Sequence, residues 1–217
     1  MVKTPASPQK RKRQRRSFRT EERLLAAVLA LADRGGLDAC TVPAVAERAG
    51  VAVGTIYRRY PDKDALVAAA FLDFASLGDG KREAEYAAFA ASARNLPDFL
   101  RRVGEAAVRV ACEHRGLLLA IRAFARTTPD RAWRTRFARQ QSRGRATLLK
   151  AALARFGPEI AGGEAALRFS LAALYGAVEV TWLEPQAGLF ASRPSRSSFV
   201  AAIVEMQAAY LSKRPRP

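Results

Sequence analysis

Hydrogen-bond donors and positive charges are concentrated in one short stretch of this chain, between residues 41 and 63. The side chains concerned belong to Thr41, Thr55, Tyr57, Arg58, Arg59 and Lys63. Hydroxyl and cationic groups bind phosphate oxygens, and an arginine also reaches base edges in the major groove of DNA. The chemistry that this stretch favours is therefore nucleic-acid binding rather than the making or breaking of bonds.

Catalytic and metal-binding patterns are not found in the sequence. His114 is the single histidine, so a histidine-dependent triad has no second candidate. Cys40 and Cys112 lie far apart and lack the spacing of a zinc site or a disulfide framework. No nucleotide-binding glycine loop, HExxH motif or nucleophile elbow is present. We therefore expect no enzyme activity, no metal and no cofactor.

Net charge indicates the class of partner. The 217 residues carry a formal net charge of +17 and are 49% hydrophobic, which fits a folded protein with a polyanionic partner. Nucleic acid and an acidic membrane surface both fit the charge, but the most apolar helices lack the one-sided basic face of a membrane anchor. No run of about eighteen apolar residues is present, so we expect a soluble, cytoplasmic protein.

Helical signals place the donor-rich stretch in a compact motif. Apolar residues recur at helical spacing up to Gly35-Gly36, and Thr41 is positioned to cap a second, short helix that Gly50 ends. A third helix follows after two residues and runs to Tyr60. Two helices joined this tightly form a helix-turn-helix, whose second helix enters the major groove. The residues expected on its outer face are Val53, Gly54, Thr55, Tyr57, Arg58 and Arg59.

The spacing of these residues resembles the N-terminal domain of the TetR family of regulators over roughly residues 20 to 70. The residues that carry the resemblance are Thr41, Gly50, Gly54, Thr55, Tyr57, Tyr60 and Lys63. The resemblance implies that Thr41, Thr55, Tyr57 and Lys63 contact phosphates. It also implies an all-α fold, in which a three-helix helix-turn-helix domain precedes a C-terminal helical domain for ligand binding and dimerisation.

The chain departs from the family pattern at three positions. Ala52, Arg59 and Tyr60 stand where the family often has serine or threonine, histidine, and phenylalanine. An alanine N-cap costs about 1 kcal/mol relative to serine, and an added phosphate contact from Arg59 would offset this loss on DNA. The fold prediction is unaffected, but the base preference is not predicted.

Three segments are expected. Residues 1–17 form a disordered basic arm, residues 18–65 the DNA-binding domain, and residues 66–213 the effector-binding and dimerisation domain. The arm would contact DNA in the adjacent minor groove through Arg13, Arg15 and Arg16. A solvated tail without a specific role is equally compatible with its composition.

The C-terminal domain is expected to enclose a mostly apolar pocket for an apolar or aromatic effector. Aromatic candidates for its lining are Phe124, Trp133, Phe137 and Trp182, each of which also suits simple core packing. Glu179 and Glu184 would suit a cationic ligand, although paired or exposed helix glutamates explain them better. For His114 and Cys40 the favoured interpretations are a helix-terminal or surface histidine and a small core filler, rather than a ligand or a thiol sensor.

Two apolar stripes near the C-terminus exceed what one small domain needs. The first contains Leu167, Leu171, Leu174, Val178 and Trp182, and the second contains Phe199, Val200, Ile203, Val204, Gln207, Tyr210 and Leu211. They resemble the helix pair through which the family forms a two-fold four-helix bundle. A symmetric homodimer would match a palindromic operator.

The sequence thus predicts a homodimeric transcriptional repressor that a small ligand releases from its operator. The alternative is a basic architectural protein that coats nucleic acid through its arm without reading sequence. Deleting residues 1–16 would separate the two hypotheses, because only the regulator would keep an operator preference.

Overall fold

The computed structural model describes the backbone of residues 8–77, 79–184 and 192–212, and the side chains of residues 17–76, 83–184 and 192–212. Over these ranges the chain forms ten α-helices and no β-strand. The helices are α1 (Pro8–Gly35), α2 (Val42–Ala49), α3 (Val53–Tyr57), α4 (Lys63–Leu77), α5 (Asp79–Ser92), α6 (Leu96–Glu113), α7 (Arg115–Thr127), α8 (Arg131–Phe156), α9 (Gly163–Val178) and α10 (Arg196–Ser212). The predicted all-α fold is confirmed.

Helix α1 begins earlier than the sequence pattern predicts. Its backbone is helical from Pro8, so residues 8–17, which were expected in a disordered arm, belong to the helix. Proline is tolerated in the first helical turn, and lysine, arginine and glutamine are good helix formers. The basic segment therefore continues the amphipathic part of α1, where Leu24 and Val28 are fully buried. Residues 1–7 lie outside the described residues.

Caps set the bounds of the two helix-turn-helix helices. The Thr41 hydroxyl accepts a hydrogen bond from the amide of Ala44 at 3.3 Å, and Gly50, at φ 60°, ends α2 in the left-handed conformation. Ala52 precedes α3 without a side-chain cap, as expected from its methyl group. Helix α3 ends at Tyr57, three residues earlier than predicted, and Arg58 follows as its C-cap.

Two apolar cores lie along the molecule. The N-terminal core combines α1 to α4 with the buried side chains of α7 and with Trp133 of α8. The C-terminal core combines α5, α6, α8, α9 and α10. The predicted boundary between residues 65 and 66 falls within α4, and residues distant in sequence complete the N-terminal core. The first four helices, called the head below, are therefore not a unit of packing separate from the remaining helices, called the body.

The predicted dimer stripes are for the most part internal. Side chains that fill the C-terminal core are those of Leu167, Leu171, Leu174, Val178, Trp182, Phe199, Val200, Gln207 and Leu211. An apolar stripe shows that one face of a helix is covered, but it does not show whether the same chain or a partner covers it. The prediction that these buried side chains form the dimer interface was therefore wrong. The exposed apolar side chains of α9 and α10 belong to Phe169, Met206 and Tyr210, at 63%, 50% and 44% exposure. The rings of Phe169 and Tyr210 lie 5.5 Å apart.

Helix α6 begins with reciprocal capping. The Asn95 side chain accepts from the amide of Asp98 at 2.9 Å, and the Asp98 carboxylate accepts from the amide of Arg94 at 3.1 Å. Arg101 donates to the other carboxylate oxygen at 2.5 Å. The hydrogen bond from Arg101, followed by that from the Arg94 amide, lowers the pKa of Asp98 from 3.8 to about 2.

This lowered pKa predicts a loss of stability in acid. Because the folded state holds the ionised carboxylate, its contribution is present above the ordinary pKa of 3.8 and is lost as the pH falls toward 2. Asp98→Asn should be less stable than the parent at neutral pH, and the difference should shrink in this acid range. Urea unfolding midpoints measured against pH test this, with Asp38→Asn, an exposed aspartate outside these contacts, as the control. Parallel pH profiles for Asp98→Asn and the parent would contradict it.

Candidate nucleic-acid interface

Helix α3 presents one face to solvent and anchors the other. Ile56 is fully buried in the N-terminal core, whereas Val53 and Tyr57 are 39% and 55% exposed. Gly54 and Arg58 are exposed on the same short helix and its cap, and the space around Gly54 is open. The absence of a side chain at Gly54 permits close approach of a ligand backbone.

Donors flank this face on both sides. Thr41 is exposed at the start of α2, and Lys63 is exposed as the first residue of α4. Asp62 caps α4 through a 2.7 Å hydrogen bond from the amide of Ala65, which fixes the helix end that carries Lys63. The structure thus leaves Thr41, Tyr57 and Lys63 accessible, as expected for phosphate contacts.

Thr55 and Arg58 form a pair within the candidate interface. The Arg58 guanidinium donates to the Thr55 hydroxyl oxygen at 3.0 Å. Thr55 is half-buried, and its hydroxyl proton remains available for donation. The pair holds an arginine on the outer side of α3.

Arg59 is engaged within the protein rather than turned outward. Its guanidinium donates to the backbone carbonyl of Ser17 at 3.2 Å and to the Ser17 hydroxyl at 2.9 Å. This contact joins the end of the helix-turn-helix to α1 at the point where the basic segment begins. The segment carrying Arg13, Arg15 and Arg16 has a helical backbone, while the side chains of these three arginines lie outside the described residues.

Tyr60 is a structural residue beneath α3. Its hydroxyl oxygen is buried. Burial, followed by the charge of Glu21, raises the pKa of Tyr60 to about 12. The phenol therefore stays protonated at neutral pH and is removed from the solvent-facing donors.

Arg23 is the functional residue that the sequence pattern does not reveal. Its guanidinium donates to the carbonyl of Ala49 and, at 2.8 Å, to the carbonyl of Gly50. These carbonyls belong to the turn between α2 and α3, so Arg23 fixes the angle of the helix that carries Tyr57. Arg23 is one of the polar residues on the outer face of α1, and the sequence does not indicate that its side chain contacts the turn between α2 and α3.

Removing the Arg23 guanidinium should loosen the turn without removing a DNA contact. We expect Arg23→Gln to lower the free energy of unfolding by about 1 kcal/mol, the usual net value of a hydrogen bond. Operator affinity should fall more than this loss explains, because α3 then samples several orientations. Chemical unfolding and DNA titration of the same preparation test the prediction, and Arg34→Gln, an exposed arginine in the last turn of α1, serves as control. Unchanged affinity would contradict the positioning role.

The head meets the rest of the protein where α1 contacts α7. The Asp33 carboxylate accepts a 2.9 Å hydrogen bond from the amide of Leu117 in the first turn of α7. His114 lies between α6 and α7 with Nδ1 3.8 Å from the other Asp33 oxygen, which confirms its predicted place at a helix end. Arg115 donates to the carbonyls of Trp182 and Leu183 at 3.3 and 2.8 Å.

The four aromatic pocket candidates do not come together. Trp133 contacts Phe124 and Phe137 with both ring-centroid distances at 4.9 Å, and all three belong to the N-terminal core. Trp182 lies in the C-terminal core against Phe199, with ring centroids 6.2 Å apart. Its indole N–H is buried and finds no acceptor among the described residues.

The remaining candidates have structural partners. The Cys40 thiol is buried and lies 3.7 Å from the carbonyl of Val28, and burial raises its pKa. Glu179 and Glu184 both pair with Arg122. The described side chains contain no cluster of three or more potential metal ligands. No helix within the described ranges is long and apolar enough to cross a membrane.

Residues 24–70 match the family model described as bacterial regulatory proteins, tetR family. Over this segment the chain resembles the TetR family in sequence. The match covers α2 and α3 completely, together with most of the apolar part of α1 and the first half of α4. The segment that this family model matches therefore contains the helix-turn-helix whose exposed donors and internal hydrogen bonds are described above.

Two bacterial transcriptional regulators resemble this chain in sequence over part of its length. The HTH-type transcriptional repressor KstR of Rhodococcus jostii (strain RHA1) is 55% identical over 49 residues, 23% of each protein. The regulator Mb1581 of Mycobacterium bovis is 38% identical over 101 residues, 46% of each protein. The chain thus matches between about a quarter and a half of the length of these relatives.

The similarity of fold extends over the whole chain. The fatty acid degradation regulator FadR of Bacillus halodurans superposes with a TM-score of 0.64 at 14% identity, covering 97% of this chain and all of that one. At this level of identity the comparison concerns the fold alone. The shared fold therefore includes nearly all of this chain.

Proposed function

We propose that this protein is a homodimeric transcriptional repressor that reads a palindromic operator with α3 and leaves it when a small apolar or aromatic ligand binds the body. The observation that supports this most strongly is the exposed face of α3, where Tyr57 and Arg58 stand over a fully buried Ile56. Thr41 and Lys63 flank this face at helix ends, as phosphate-binding donors do. An enzyme function is not proposed, because these donors are exposed and no described pair of them forms a nucleophile with its base.

Dimerisation is proposed through the exposed apolar patch of α9 and α10 that consists of Phe169, Met206 and Tyr210. These side chains lie more than two-fifths exposed on helices whose opposite faces fill the C-terminal core. An isologous contact would pair the patch with itself and set two α3 helices on one duplex. This patch replaces the buried stripes as the proposed interface.

The effector is proposed to bind in the C-terminal core beside Trp182. The buried indole N–H of Trp182, which has no acceptor among the described residues, offers a donor to a ligand that carries one acceptor on an apolar body. The carbonyls of Trp182 and Leu183 bind Arg115, next to the first turn of α7 that Asp33 caps. Trp182 and Leu183 belong to a π-helical turn, Glu179–Leu183, that follows α9. A ligand that shifts this turn would bias the orientation of the head.

Selection of bound duplexes from a random library at near-physiological salt tests the proposed function. We expect a palindromic motif. Lys63→Gln and Tyr57→Phe should each weaken binding to that motif by roughly tenfold, about 1.4 kcal/mol, without changing the unfolding midpoint. Arg168→Gln, an exposed arginine paired with Glu164 on α9, is the charge-matched control and should bind like the parent. Recovery of unselected DNA would contradict the proposal and favour an architectural protein.

A further inference from the structure

Helix α8 carries a positive charge that the DNA-binding head does not account for. Its 26 residues contain basic side chains and no acidic one. The basic residues are Arg131, Arg134, Arg136, Arg139, Arg143, Arg145, Lys150 and Arg155. A charge of one sign along a whole helix is unfavourable by self-repulsion unless an anion accompanies it.

Four of these cations form a single stripe. Arg136, Arg139, Arg143 and Lys150 follow one another at intervals of three, four and seven residues, which places them on the same side of an α-helix. All four are exposed, and the stripe is about 21 Å long at 1.5 Å per residue. We call these four residues the α8 basic stripe.

Among the described side chains, no carboxylate pairs with the stripe. Within the described ranges, the ion pairs of other arginines include Arg109 with Glu85 and Arg168 with Glu164, but no pair involves a stripe residue. In the described part of the chain the stripe is therefore a row of unpaired cations, with about one arginine fork per turn over its first half and Lys150 at its end. Arginine forks match phosphate oxygens in a bidentate geometry.

The stripe extends from the N-terminal core toward the C-terminal core. Helix α8 begins at the N-terminal core, where Trp133 donates to the carbonyl of Ala68, and continues into the C-terminal core, where Leu148 and Phe156 are buried. Its stripe therefore extends along the body.

We propose that the α8 basic stripe binds the phosphate backbone of a second DNA duplex while α3 holds the operator. A duplex carries one charge per about 1.7 Å of axis, so the stripe length faces roughly a dozen phosphates. A membrane surface fits less well, because the apolar residues of α8 point into the protein and leave nothing to insert between lipids. The molecule would thus bridge two DNA segments, a property beyond operator binding.

A bridging experiment with the full chain tests this. The selected operator duplex is fixed on beads and saturated with protein, and a fluorescent duplex of about 40 base pairs with unrelated sequence is added near 0.1 M KCl. We expect capture of the fluorescent duplex. The triple variant Arg136→Gln, Arg139→Gln, Arg143→Gln should capture at least about tenfold less, since three phosphate contacts contribute a salt slope of about 2.7. Its operator affinity should stay within about twofold of the parent, because the head is intact.

The matched control removes the same charge elsewhere. Arg126→Gln, Arg145→Gln, Arg155→Gln changes three exposed arginines outside the stripe and should capture the duplex like the parent. An equal loss of duplex capture in both triple variants would overturn the proposal, because capture would then depend on overall positive charge and not on the stripe. Capture of phosphatidylglycerol vesicles by the stripe, without capture of the duplex, would overturn it in favour of a membrane surface.

The test remains valid if no operator is found. In that case the proposed function fails, but DNA binding by the stripe can still be tested. Fluorescence anisotropy of the unrelated duplex then gives the DNA affinity as a function of salt concentration. A slope lower by about 2.7 in the stripe variant than in the control variant supports the stripe alone. Identical slopes would overturn it independently of the head.

Discussion

Gly116→Ala is expected to cause one of the largest losses of stability available to a single methyl group in this protein. A Cβ at Gly116 would overlap the backbone carbonyl of Asp33, at 2.7 Å from its carbon and 3.1 Å from its Cα. Backbone atoms cannot turn aside as a flexible side chain does, so α7 must separate from α1. We expect the free energy of unfolding to fall by about 3 kcal/mol or more, at the upper end for overpacking.

Gly176→Ala is the matched control for this prediction. Gly176 lies within α9, and a Cβ there meets nothing within 4 Å. Alanine at this site should leave stability unchanged or raise it by up to about 1 kcal/mol, through helix propensity. Urea unfolding of both variants gives the comparison, with the soluble yield as readout if Gly116→Ala does not fold. Equal stability of the two variants would show that α1 and α7 do not meet as described.

Trp133→Ala is expected to have a comparable effect through a cavity. Trp133 is fully buried, stacks on Phe137, meets Phe124 edge to face, and donates its indole N–H to the carbonyl of Ala68 at 2.8 Å. Truncation of a buried tryptophan costs about 3–5 kcal/mol. Thermal and urea unfolding should both report a loss of this size, and the head should lose its order together with the body.

Substitution of each tryptophan by phenylalanine keeps an aromatic ring in the core and removes the indole N–H. The stability of these two variants therefore separates the contribution of packing from that of hydrogen bonding. Trp133→Phe leaves the Ala68 carbonyl without its donor, at an additional cost of about 1–2 kcal/mol. Trp182→Phe removes an indole N–H that finds no acceptor among the described residues, so its cost should be smaller. If Trp182→Phe proved the more destabilising change, the hydrogen bond to Ala68 would not be the deciding difference.

Local signals explain why the head could be predicted from sequence. Thr41 and Gly50 cap the helix that they were expected to cap, and Ile56 anchors α3, because each depends on neighbours within a few residues. The contacts of long side chains cannot be predicted from such local signals. Arg59 lies 42 residues from Ser17 and Arg23 lies 27 residues from Gly50, yet both pairs meet. An arginine can reach many partners, and only the tertiary arrangement selects one.

The body was predictable in class but not in the assignment of its faces. The periodicity of α9 and α10 correctly indicated covered helices, yet Leu174 and Leu211 are covered by their own chain. Periodicity measures the width of an apolar face, and not the identity of what covers it. The exposed patch around Phe169 lacked a signal of its own, since single apolar residues on a surface are common.

The shared N-terminal core has a consequence for exchanging heads between regulators. Leu117, Ile121, Phe124 and Trp133 complete the packing around α1 and α4, although they are supplied by helices of the body. A chimera joined after residue 77 would place this head on side chains that evolved under a different head, and leave voids or clashes at the junction. Transplanting operator specificity therefore calls for grafting the outer face of α3 alone, or for moving α7 and the start of α8 together with the first four helices.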